Sequence, residues 1–144
     1  MMSSSYCLII YFKSVNLLKK ESWIYINDST NIRWSKIFHL YKGFIRKKTK
    51  PGFFVKASAR VVEPPRIEYK GFKYKYSVKG DICRIYLVRS NYKLFNKSNF
   101  QLYFKGNSGF TIKKKNDPKS KFISGPISRL IKRRKVLSLF KLVI

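Results

Sequence analysis

Acidic residues are the scarcest resource in this sequence: six Asp and Glu stand against 33 Lys and Arg, a formal net charge of +27. Six scattered acids form no carboxylate pair of the kind that general acid–base chemistry uses. The single histidine, His39, has no acid or cysteine cluster near it in sequence. That excludes the usual metal and catalytic constellations, and His39 reads as a packed or RNA-facing ring. Two cysteines, Cys7 and Cys83, make no disulfide framework. Cys83 reads as a small buried hydrophobe. No apolar run reaches the 18 residues that suggest a membrane-spanning helix, so membrane insertion is not expected. Also missing are the glycine-rich phosphate loop ending Gly-Lys-Ser/Thr, Gly-x-Gly-x-x-Gly, Cys-x-x-Cys and His-Glu-x-x-His. The sequence therefore points to no catalytic residue, metal, cofactor or small-molecule substrate.

What remains is apolar enough to fold, with 44% hydrophobic and 17% aromatic residues in 144. One domain with one core fits that length. A free monomer of such charge repels itself, so a polyanion is the expected partner, and nucleic acid is the commonest one. Two rival readings are a free organellar single-strand-binding barrel, with aromatics along a groove, and a polybasic membrane-surface protein. Abundant Lys, Tyr, Phe, Ile, Asn and Ser with little Ala or Gly resembles translation from an AT-rich genome, a hint of an organelle.

The chain is centred on residues 79–112. Cys83, Ile85 and Leu87 alternate with Arg84, Tyr86 and Val88, the period of a strand with one buried face. Phe100, Leu102 and Phe104 form a second alternating set. Lys105-Gly106-Asn107 predicts a hairpin turn into a third strand, with Phe110 and Ile112 inward. The expected core includes Ile85, Leu87, Phe104, Phe110 and Ile112. Gly80-Asp81 is a turn signal, and Asp81 is structural. Upstream, residues 21–28, 32–41 and 53–62 read as strands, with Ala57 and Ala59 suited to a tight barrel bend. Side-chain oxygens of residues 28–31 suit a turn. Residues 66–78 alternate cations and aromatics, as in a hairpin arm with one basic face. Residues 42–52 and 113–121 read as basic loops suited to phosphate contact. From Pro126 a helix is predicted, with Ile127, Leu130 and Ile131 on one face and Arg129, Lys132, Arg133 and Arg134 on the other. A second apolar run, 136–142, could pack back as a short helix. Residues 1–20 hold no acid and read as an extension lying on RNA or a neighbouring protein, or as a targeting segment.

These residues resemble the large-subunit ribosomal protein fourteen family over about 17–144. The family's basic-flanked Gly-Asp is Lys79-Gly80-Asp81. Its strand ending Val-Arg runs from Arg84 to Arg89, and its Phe and Gly-Asn are Phe104 and Gly106-Asn107. Its Gly-Pro-x-Ser/Thr-Arg is Gly125-Pro126-Ile127-Ser128-Arg129. Its Asp-Asn-Ser-Gly-Ala turn is Asp28-Ser29-Thr30-Asn31-Ile32, with Asn31 in place of glycine as the next best residue for a left-handed turn. Its Pro-Asp-Gly turn is replaced by Lys97-Ser98-Asn99, and residues 1–16 have no counterpart. The resemblance implies a mainly β fold: a small five-stranded β-barrel with a protruding β-ribbon and short C-terminal helices within 125–142. It implies a structural role in the large subunit, with large-subunit rRNA and neighbouring ribosomal proteins as partners. It also implies small-subunit rRNA across an intersubunit bridge, and docking of factors that block subunit joining. Charge and composition suggest a mitochondrial version rather than a plastid one. The rRNA-binding candidates are Arg46, Lys47, Lys48, Lys50, Arg84, Arg89, Lys93, Lys97 and Lys105. Further candidates are Lys113, Lys114, Lys115, Lys119, Lys121, Arg129, Lys132, Arg133 and Arg134.

Overall fold

The computed structural model describes residues 18–43, 45–64, 76–91, 94–95 and 101–144. Nine strands and one short helix lie among them. They are β1 (Leu18–Lys19), β2 (Trp23–Ile26), β3 (Ile32–Leu40), β4 (Lys48–Thr49) and β5 (Phe54–Val62), then β6 (Ile82–Arg89), β7 (Leu94–Phe95), β8 (Gln101–Leu102), β9 (Ser108–Thr111) and α1 (Arg134–Leu137). Five of the strands close a barrel, as expected, and their order around it is β2-β3-β5-β6-β9. Neighbours run antiparallel except at the seam, where β2 meets β9 in parallel, Tyr25 opposite Ser108 and Ile26 opposite Gly109. Closure leaves the barrel no open sheet edge.

The barrel interior follows from the side-chain period. Val55, Ala57 and Ala59 on β5 and Cys83, Ile85 and Leu87 on β6 point inward, alternating with outward Lys56, Arg60 and Arg84. On β3 the inward residues are Ile32, Ser35, Ile37 and Leu40, a spacing that breaks strict alternation. Register shifts against β5 between Ile32 and Trp34, Trp34 and Ser35, and Ile37 and His39 account for it. Each extra residue re-aims the side chains that follow and bends the strand.

Several expectations change here. Residues 79–112 hold four strands among the described residues rather than three, and only β6 and β9 join the barrel. β6 pairs directly with β9, and β8 pairs with β7 in a separate two-stranded sheet. Both sides of β9 are already occupied, by β2 and β6, so no hairpin partner can sit there. Phe104 accordingly stays half-exposed, whereas Ile85 and Leu87 are in the core. Phe110 and Ile112 are buried, but in a second cluster outside the barrel with Tyr86, Val88, Ile127, Ile131 and Phe140. β6 is thus covered on both faces. The covering layer is the C-terminal segment, and it is not helical where a helix was expected. Ile127 instead bridges Val143 in parallel, with Ile127 N–H donating to Leu142 O at 3.0 Å and Ile144 N–H to Ile127 O at 2.9 Å. Only Arg134–Leu137 is helical there. The basic loop 42–52 contains β4, which pairs with β1 and buries Thr49. The expected arm at 66–78 lies mostly outside the described residues.

Asn31 does not take the left-handed conformation. Its side chain acts as a backbone mimic: Nδ2 donates to Ser77 O at 2.8 Å, and Oδ1 accepts from Ser77 N–H at 3.2 Å. Asp81 is structural as expected, its Oδ2 accepting the Val78 N–H at 2.8 Å.

Candidate nucleic-acid interface

Outward positions on β3, β5 and β6 place aromatic rings and cations side by side. Phe54 of β5 lies opposite Tyr86 of β6, with ring centroids 5.1 Å apart, and Tyr41 follows the end of β3. The Arg84 guanidinium lies over Phe54 at 4.7 Å and over Tyr41 at 5.4 Å. From the C-terminal segment, Arg133 reaches Phe54 at 4.6 Å and Tyr86 at 5.9 Å. Lys56 lies 5.8 Å from Tyr41. On the adjoining Phe53 ring converge Arg46 at 4.7 Å, Lys42 at 4.9 Å and Lys50 at 5.8 Å. Rings thus hold these cations close by their π faces.

The arrangement costs the isolated chain energy. Lys56 and Arg84 are directly opposed in the β5–β6 register, and like charges in that position repel. Among the described residues, none of these cations has a carboxylate within ion-pair distance. The ion pairs seen are Arg33 with Glu63, at 2.5 Å, and Lys36 with Glu21, also 2.5 Å. The Lys36 ammonium holds the Glu21 carboxyl below its usual range. Arg84 Nε is buried and has no hydrogen-bond partner. A phosphate on this surface would relieve the repulsion between Lys56 and Arg84.

The other candidates are distributed differently. Lys47 and Lys48 are exposed on the 42–52 segment, and Lys113, Lys114 and Lys115 on the turn after β9. Lys119 and Lys121 follow that turn, with Lys119 Nζ donating to Ser77 Oγ at 3.1 Å. Arg129, Lys132 and Arg134 are exposed on the C-terminal segment, and Lys105 is exposed before β9. Lys93 and Lys97 lie outside the described residues. Arg89 is committed to the fold: Nε donates to Ser108 Oγ at 2.6 Å and Nη2 to Ser124 O at 3.2 Å. Its guanidinium lies where a Cβ on Gly125 would fall, 1.8 Å from Nη1, and Gly125 has φ +88°. The Gly-Pro motif therefore keeps a place open for Arg89, and burial lowers the pKa of that arginine.

Sequence reading placed Lys42 in the basic loop but missed Lys56, and missed the rings Tyr41, Phe53 and Phe54 as supports for the cations. The alternation of β5 already set Lys56 outward. Its meeting with Arg84 depends on a register that only the folded sheet fixes. His39 packs edge-on against Tyr41, centroids 5.5 Å apart. Among the described residues no group of three or more His, Cys, Asp or Glu stands together, and no helix is long and apolar enough to cross a membrane.

A mainly β barrel of this strand order, with cations gathered on its outer rings, is the setting in which the sequence match takes its meaning. The family model described as ribosomal protein L14p/L23e matches residues 17–144. The chain belongs to that family, whose members are structural constituents of the large ribosomal subunit that bind its rRNA and neighbouring ribosomal proteins.

Proposed function

We propose that this chain serves in the large subunit of a mitochondrial ribosome, where it has no catalytic role. Its loops clamp large-subunit rRNA and reach small-subunit rRNA across an intersubunit bridge. The observation that carries the RNA contact is the opposed pair Lys56 and Arg84, stacked with Arg133 on Tyr41 and Phe54 and lacking carboxylate partners among the described residues. A polyanion supplies the missing counter-charge. The net charge of +27 and the AT-rich style of the composition support the organellar assignment.

The test is sedimentation of a mitochondrial lysate at high salt, followed by crosslinking within intact monosomes. Co-migration with large subunit and monosome, and a crosslink to small-subunit rRNA that disappears when subunits are separated, is the expected result. A chain that stays at the top of the gradient at low salt overturns the ribosomal placement. Recovery in a plastid fraction overturns the organelle, and a crosslink to large-subunit rRNA alone overturns the bridge.

A further inference from the structure

A second surface feature lies on the outside of β2 and β3, apart from the cationic cluster. Tyr25 and Trp34 are register partners there, and their rings meet edge to face with centroids 5.2 Å apart. Both face away from the core and remain 39% and 41% exposed. Phe104 and Pro126 continue the apolar wall, and with Lys105, Asn107 and the Arg89 side chain they enclose an open groove of about 390 Å³. No residue lining it is acidic. The barrel itself does not call for these rings, since the interior is filled by the aliphatic set on the opposite face.

Asn27 is also part of this groove and is only 7% exposed. Its backbone is fully used: N–H donates to Gly109 O at 2.9 Å, and its carbonyl accepts Ser124 N–H at 3.0 Å. Its side-chain Nδ2 has no partner. A buried donor left unsatisfied is costly, and the residue that carries it lines the groove, so a small rotation of its amide would let an occupant bring an acceptor.

We propose that the groove receives one unpaired nucleotide of rRNA. The base stacks on Trp34 and Tyr25, a base carbonyl accepts from the Asn27 amide, and the phosphate lies against Lys105. A base offers a flat π face and a carbonyl on one rigid body, and its backbone offers the anion that the basic lip requires. A peptide could supply the carbonyl but not the phosphate. The proposal rests on the rRNA-binding reading and adds to it a defined nucleotide site.

The experiment uses the full chain and a single-stranded hexauridylate carrying 5-iodouridine, with affinity measured across a range of KCl concentrations. Trp34→Leu is expected to bind about tenfold more weakly, the loss of one stacked base. Trp34→Phe retains most of the affinity. The salt slope is unchanged in both, because phosphate contacts persist. Photo-crosslinks are expected on Tyr25, Trp34 or Phe104. Because Trp34 faces outward, Trp34→Leu should keep the wild-type melting temperature, and Tyr25→Leu serves as the second variant. Wild-type affinity in both leucine variants, with crosslinks elsewhere, overturns the groove and leaves the rRNA-binding reading intact. If the wild-type chain binds neither this probe nor a large-subunit rRNA fragment, both readings fall. In assembled subunits, a crosslink from the groove to a peptide instead of a nucleotide also overturns it.

Discussion

At Asp28 four donors converge on one buried carboxylate. Oδ2 accepts the Thr111 amide at 2.8 Å and the Thr111 hydroxyl at 2.5 Å, while Oδ1 accepts the amide and hydroxyl of Thr30. Asp28→Ala strands the buried Thr111 N–H and should cost about 3 kcal/mol in denaturant unfolding, from ~1–3 kcal/mol for each orphaned buried group. A loss below about 1 kcal/mol would mean that water satisfies the site. Cys83 gives a prediction in pH. Burial pushes its thiol up to about 11 from an ordinary 9.0. Below pH 9 both folded and unfolded chains hold the proton and stability is unaffected. Between about 9 and 11 the unfolded chain ionises first, so stability falls as pH rises. At pH 8, in a Cys7→Ser background, iodoacetamide should label the folded chain about a hundredfold more slowly than the unfolded one, following the thiolate fraction. The burial of Cys83 and the turn chemistry at Asp28 were legible in the sequence. The long reach from Asp28 to Thr111 was not, because a side chain in a turn does not announce a partner on another strand. Gly109 is a similar case: a Cβ there would lie 2.5 Å from Tyr86 O, a closeness that only the β6–β9 register creates.

β6 shows what periodicity can and cannot say. Alternation sorted its residues correctly onto two faces, and Ile85 and Leu87 line the barrel as expected. It did not say that the second face is covered. The hint was the unbroken apolar run Ile85-Tyr86-Leu87-Val88, which belongs to a strand buried on both sides. The cover was misread because Ile127, Leu130 and Ile131 fall at helical spacing. An extended residue followed by a turn reproduces that spacing over so short a stretch. Ile127 and Ile131 are buried, whereas Leu130 is 43% exposed. If this segment holds β6 from outside, Phe140→Ala should destabilise the chain by about 3 kcal/mol, the cost of a buried ring. Leu142→Ala, at an exposed position, should stay within about 0.5 kcal/mol. Equal effects in thermal melts would mean that the segment does not clamp the barrel.

For the molecule as a whole, the imbalance of charge was the plainest feature of the sequence, and it pointed to a polyanion at once. Where the cations gather was hidden, because Arg46, Arg84 and Arg133 come from three distant segments that meet on neighbouring rings. Binding of a large-subunit rRNA fragment should weaken linearly in log–log plots against salt. Arg84→Ala and Arg133→Ala should each reduce the slope by about one phosphate's worth. Slopes matching the wild type would take these two residues off the RNA. The seam of the barrel adds a matter of timing. β2 and β9 pair in parallel, and Asp28 bonds Thr111 across 83 residues. Folding from one end therefore cannot finish early: the ring closes only after most of the chain is in place, and such distant pairings form slowly. In that interval β2 and β9 present open edges, the usual route to aggregation. The same positive charge that later grips RNA keeps half-folded copies apart, so it acts as an internal chaperone before it acts as a clamp.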